Sequence, residues 1–290
     1  MKKTGRRKYA AFIITVLLLA AAAAAALRLY PAAKAAFILR KAPSFEEFTY
    51  SVHVELRREN LAPGQDAFVD ALSWLLGVDG ENLMSLQVTG EFCQDTLHAV
   101  VACEGVEEPL TELWFNGGQG CMNAKQLYDT IRGRLTERYS LLNYMLPEWK
   151  YAPYISTEQI EEIFGVSLDH LYGLKDSLPG EKELLMKGFG MLVSMEGKAV
   201  SGGARFEKSL ETADIKISVT DEGGIPRLSA EGILKDGSMV ANGCRAEISF
   251  EDIQALHMPD SLMEQDVVDR FASLWSVLTD LKNKIDELIS

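Results

Sequence analysis

Residues Ala10–Leu27 form an uncharged, almost wholly apolar run of eighteen residues, and five bases (Lys2, Lys3, Arg6, Arg7, Lys8) precede it. A run of this length and hydropathy is costly to expose to water, so it divides the chain into a basic leader, the run itself and a long C-terminal portion. Retention of the bases on the cytoplasmic side sends that C-terminal portion across the membrane. At about 1.5 Å per residue the run spans roughly 27 Å, against a hydrocarbon core of about 30 Å, with Tyr30 at the far interface. A cleaved secretory signal is the competing expectation, because the seven alanines Ala20 to Ala26 offer small-x-small sites. Retention is favoured because the run exceeds the usual signal core of ~7–15 residues. The first cysteine is Cys93, which excludes a lipid anchor on a cysteine beside the run.

The expected organisation is a cytoplasmic basic tail (1–9), a transmembrane anchor (10–30), a juxtamembrane linker (31–43) and an extracytoplasmic α+β domain (44–290). Within the linker, Pro31 starts a short helix with Ala32, Ala35, Phe37, Ile38 and Leu39 apolar and Lys34, Arg40 and Lys41 polar. That helix lies on the outer membrane surface or continues the anchor past a proline kink.

Residues 1–41 hold nine of the 29 bases and no acid, so the rest of the chain carries 20 bases against 42 acids, a net charge of −22. Such a domain is repelled by nucleic acid, and no DNA or RNA partner is expected. The four cysteines (Cys93, Cys103, Cys121, Cys244) allow three full pairings or free buried thiols, and contain no CxxC.

Alternation begins near Phe45: Tyr50, Val52, Val54 and Leu56 share one face, while Ser51, His53, Glu55 and Arg57 share the other. Phe68, Leu72, Leu75 and Leu76 have helical spacing. Leu86, Val88 and Phe92 return through Leu97, Ala99, Val101 and Cys103 as a hairpin, and Leu113-Trp114-Phe115 pairs with Cys121-Met122-Asn123 across Asn116-Gly117-Gly118-Gln119. Sequential hairpins predict an antiparallel meander. Lys125–Leu135, Ser140–Met145 and Glu181–Met195 read as helical, and Ser156-Thr157-Glu158-Gln159 as a capping box opening another helix. Strands resume over Ala204–Leu210, Asp214–Thr220, Arg227–Leu234 and Met239–Phe250, with glycine-bearing turns between them. From about Glu264 a final helix places Val267, Phe271, Leu274, Leu278, Leu281, Ile285 and Leu288 in heptad spacing. Val268 and Trp275 widen that stripe, which favours docking on the protein's own sheet over a homodimeric coiled coil.

Signs of chemistry are sparse. His53, His98, His170 and His257 show no metal-binding spacing, and no metal or cofactor is expected. Ser167 lacks the closing glycine of a nucleophile elbow, and Gly190–Lys198 has the wrong spacing for a phosphate loop, with Ala199 where a hydroxyl is needed. Gly117–Gly120 is a hairpin turn, and the acidic pairs Glu46-Glu47, Glu107-Glu108 and Glu161-Glu162 point apart. One cluster stands out: Tyr139, Tyr144, Trp149, Tyr151 and Tyr154, stiffened by Pro147 and Pro153. Of these, Tyr144, Trp149, Tyr151 and Tyr154 are the candidate rim of an apolar or glycan pocket; the competing reading is a lid packed on the sheet.

The order of anchor, antiparallel strands, helical middle and further strands resembles the lipoprotein-carrier type of extracytoplasmic half-β-barrel. So do Leu113-Trp114-Phe115-Asn116-Gly117, Met122-Asn123-Ala124-Lys125-Gln126-Leu127 and Ile155-Ser156-Thr157-Glu158-Gln159-Ile160, which are similar to segments of anchored Gram-positive members. The resemblance runs from Phe45 to Phe250 in order of elements. It implies a curved antiparallel sheet covered by helices, with an apolar concavity for an acyl chain and no catalytic residues. The expected function is a membrane-anchored binding module, not an enzyme, for a lipid, a lipoprotein acyl chain or an envelope component. The alternative is a scaffolding module assembled through the C-terminal heptads.

Overall fold

The computed structural model describes residues 29–61, 78–144, 148–164, 181–235 and 241–273, with residues 66–67, 69–70, 73–74, 146, 237 and 276 between and beyond them. The apolar run at 10–27 lies outside the described residues, as do Phe68, Leu72, Leu75, Leu76, Ser167 and His170. No described helix is long and apolar enough to cross a membrane.

Among the described residues eleven strands build one antiparallel sheet: β1 (Glu47–Leu56), β2 (Ser85–Cys93), β3 (Thr96–Cys103), β4 (Thr111–Asn116), β5 (Gln119–Asn123), β6 (Tyr154–Ser156), β7 (Glu196–Val200), β8 (Gly203–Ser209), β9 (Ala213–Glu222), β10 (Ile225–Leu234) and β11 (Ala241–Ser249). Their order is β6-β5-β4-β3-β2-β1-β11-β10-β9-β8-β7. The chain enters at the centre, meanders to one edge, restarts at the opposite edge and meanders back to close on β1. The closing contact pairs Val52 with Ala246, while on its other side Val52 pairs with Val88. The protein is thus mixed α and β, with a large curved antiparallel sheet not closed into a barrel.

Side chains opposite one another across antiparallel strands share a face, so the register can be read as rows. One row is apolar or small through all eleven strands: Ile155, Met122, Leu113, Ala99, Gly90, Tyr50, Ile248, Leu228, Val219, Ala204, Ala199. On the other face Gln87, His53, Arg245, Glu231, Lys216, Glu207 and Glu196 make a polar row. A slip of one residue would exchange the two faces, so burial of one of them fixes the register.

Local chemistry sets the turns and caps. Gly117 and Gly118 have φ of 55° and 93°, the two left-handed positions a tight hairpin between β4 and β5 requires. Helix α1 spans 29–39. Helix α2 (Ala124–Arg138) is capped by Asn123, whose side chain accepts from the Gln126 amide at 2.9 Å. Helix α3 (Thr157–Phe164) opens on the expected capping box: the Gln159 amide donates to Ser156 Oγ at 3.2 Å, and the Ser156 amide to Gln159 Oε1 at 3.0 Å. Helix α4 covers Glu181–Ser194, and α5 covers 265–273.

Three clusters of buried side chains flank the sheet. The first places Ala32, Ala35 and Ile38 of α1 and Leu192 and Met195 around α4's end against Ala204, Phe206, Ile217 and Val219. The second gathers Val69, Val78, Leu83, Met84, Cys103 and Val106 at one end of β2 and β3. The third joins Ile155 and Ile163 to Met263, Val267 and Val268. An extended strap, 251–262, carries the chain from β11 to the far edge, where Leu262 bridges to Tyr154 and the Met263 amide donates to the Tyr154 carbonyl at 2.7 Å.

Some sequence expectations need correction. The segment 31–43 is not simply a linker outside the domain: Ala32 and Ala35 are 1% and 0% exposed on the sheet, so α1 belongs to the core. β6 and β7, which the sequence reading assigned to no strand, form the two edges of the sheet. Of the alternatives the sequence left open for the four cysteines, the free state is the one found: Cys93, Cys103 and Cys121 are buried and Cys244 is exposed.

Candidate functional site

The three clusters bury the flanks of the apolar face and leave its middle outside them. Phe48, Tyr50 and Val52 of β1, Val88 and Phe92 of β2, Leu97 and Val101 of β3 and Ile248 of β11 are only half-buried. The register places no charged residue on this face of β1, β2, β3, β10 or β11. The result is a continuous uncharged strip across the sheet's centre.

Aromatic rings close one end of the strip. Phe48 stacks on Phe92 with centroids 5.1 Å apart, and Phe250 meets Phe45 edge-on at 5.2 Å and Phe48 at 6.2 Å. Tyr50 lies beside them, its hydroxyl donating to the His98 carbonyl at 3.0 Å. Gly90 makes that reach possible: a Cβ there would overlap the same carbonyl oxygen and crowd the Tyr50 hydroxyl. Burial pushes the Tyr50 phenol up to about 12, so it stays neutral.

The opposite face carries a polar grouping. Tyr154 donates to Glu112 Oε2 at 3.1 Å, His98 Nε2 stands 3.8 Å from the same oxygen, and the His98 ring stacks on Trp114 at 4.1 Å. Burial, followed by the negative Glu112, raises the Tyr154 phenol above its ordinary range. Among the described residues, the buried His98 Nε2 has no hydrogen-bond partner, an unusual state for a buried polar atom. The set combines acid, base and phenol. The only thiol beside it, Cys121, is 2% exposed and raised to about 11 by burial, which leaves it a poor nucleophile. Elsewhere an open groove of about 670 Å³ lies among His53, Glu55, Glu231, Arg245 and Glu247. Among the described residues no three His, Cys, Asp or Glu side chains converge to hold a metal.

The candidate rim residues separate. Trp149 and Tyr151 come together with Phe271, the three centroids lying 5.8 to 6.3 Å apart, and Tyr128 sits 5.3 Å from Trp149. Trp149 also donates its indole N–H to the Ala152 carbonyl at 3.2 Å. This knot fastens the 148–154 segment to α5. Tyr144 stands apart, 92% exposed, and Tyr154 turns to the polar grouping. Of the heptad positions, Val267 is 5% exposed within the third cluster and Phe271 packs against it. Leu274, Leu278, Leu281, Ile285 and Leu288 lie outside the described residues. Sequence reasoning missed the central strip as a site, although the alternation that reveals it is visible from Tyr50 to Leu56.

In comparisons with known protein families, curated proteins and solved structures, nothing matches this chain.

Proposed function

We propose that this protein is a membrane-anchored extracytoplasmic binding module whose half-buried apolar strip receives a lipid, a lipoprotein acyl chain or an apolar envelope component, without catalysing a reaction. The observation that carries this reading is the half-buried run of Phe48, Tyr50, Val52, Val88, Leu97 and Ile248, uncharged and outside all three buried clusters. A contiguous apolar patch on a soluble domain is a common mark of a binding surface. The half-barrel resemblance adds support, since an acyl chain in such a carrier lies along a curved antiparallel sheet. The anchor at 10–30 places the module beside its source of ligand.

The test is a mass measurement. A protease site placed at Arg28 frees residues 29–290 from the membrane, and the fragment is weighed under native and then denaturing conditions. An excess of lipid size, lost on denaturation, is expected. The bare polypeptide mass under both conditions would overturn the proposal.

A further inference from the structure

Helix α1 is apolar on both sides. Its inner side, with Ala32, Ala35 and Ile38, is fixed to the sheet. Its outer side carries Leu29, Tyr30, Ala33, Ala36 and Phe37, all exposed, with Phe37 at 65% and Tyr30 at 58%. A helix on the surface of a water-soluble domain presents charged or polar residues outward; one that is apolar all round has a second apolar neighbour. Next to it, α4 also exposes Phe189 and Met191, while Leu192 shares the buried cluster with α1.

Two further observations identify that neighbour. The apolar run ends at Leu27, two residues before Leu29, so α1 lies where a retained anchor leaves the bilayer. Moreover, residues 29–41 carry Lys34, Arg40 and Lys41 and no acid, whereas the rest of the domain is strongly acidic. The exposed Arg40 and Lys41 at its end give this acid-free stretch a positive charge that suits anionic head groups. Lys34 donates to the Val200 carbonyl at 2.6 Å and Lys41 to the Asp221 carboxylate at 2.6 Å, which ties both halves of α1 to the sheet. A rigidly held α1 transmits its orientation to the whole domain.

We infer that Leu29, Tyr30, Phe37 and Phe189 form a docking surface that seats the domain on the interfacial zone of an anionic bilayer, with α1 lying between sheet and lipid. This rests on the reading of residues 10–30 as an anchor. Docking of this kind holds the sheet in one orientation, with its α1-covered flank against the membrane and the acidic remainder turned away.

The test uses the full chain in vesicles of equal parts phosphatidylglycerol and phosphatidylethanolamine. With the exposed Cys244 replaced by serine, a nitroxide is attached at Phe37→Cys, at Phe189→Cys or, as a control, at Lys216→Cys on the charged face. Relaxation by oxygen, which concentrates in lipid, is compared with relaxation by a water-soluble nickel chelate. Oxygen is expected to dominate at positions 37 and 189, and nickel at 216. Nickel dominating at 37 and 189 in a chain that floats with the vesicles would overturn the docking while leaving the anchor intact. Spin–spin broadening at 37 would overturn it in favour of a second copy on this face. A chain that does not float with vesicles would overturn the anchor and the docking together.

Discussion

Truncating Phe206 should test whether α1 is part of the domain. The ring is 1% exposed and packs in the cluster that holds Ala32, Ala35 and Ile38. A phenylalanine buries about 150–250 Å². At roughly 25 cal/mol per Å² that is worth about 4–6 kcal/mol, and allowing for the Cβ that alanine retains brings it to the ~3–5 kcal/mol typical of buried Phe→Ala changes. For a domain of this size each kcal/mol moves the midpoint by about 2–4 °C, so Phe206→Ala should lower Tm by roughly 6–20 °C. Thermal melts followed by circular dichroism on the full chain in detergent read this directly, with Leu141→Ala, at a side chain 76% exposed, as a control expected within about 0.5 kcal/mol. Hydrogen exchange should show the amides of 29–39 losing protection in the same variant. A shift below about 2 °C with unchanged protection would refute the packing of α1 and restore 31–43 as a linker.

Other consequences rest on single contacts. Ser156→Ala removes half of the capping box and should cost about 1 kcal/mol in a denaturant titration; no change would mean that the α3 cap contributes nothing. Gly90→Ala forces a methyl into the His98 carbonyl and should cost about 1–3 kcal/mol, because the obstacle is backbone and cannot swing aside. The Tyr50 phenol, raised by burial, contributes stability that is complete below its unfolded value near 10 and is lost as pH rises through about 12. A spectrophotometric titration should therefore show a late tyrosine step that Tyr50→Phe abolishes. A thiol reagent at pH 8 should modify one cysteine per native chain, Cys244, and all four after unfolding; rapid reaction at Cys121 would contradict its burial.

Much of the sheet is legible in sequence because it is built from local hairpins. Alternation gives β1, β2, β3 and β4 their faces, Gly117-Gly118 gives its turn, and Ser156 with Gln159 gives the α3 cap. The edge strands are less visible for a physical reason. β6 is three residues long, and β7 shows the apolar face only Gly197 and Ala199, kept small so that Phe206 and Pro31 can approach. The closure of β1 on β11 is non-local and carries no motif. The aromatic cluster around Trp149 is conspicuous in sequence, yet the fold uses Trp149 and Tyr151 to fasten α5 and turns Tyr154 away. His98, Glu112 and Tyr154 become neighbours only through the register of β3 to β6, and spacing along the chain gives no hint of them.

The central claim, that the uncharged middle of the sheet holds an apolar ligand, is tested most directly by photo-crosslinking. The full chain is reconstituted with a phospholipid carrying a diazirine at its acyl end, illuminated, digested and mapped by mass spectrometry. Adducts on peptides containing Tyr50 and Val52, Val88 and Ile248, in addition to the anchor, are the predicted result. Adducts confined to the anchor and α1, with none on β1, β2 or β11, would contradict it.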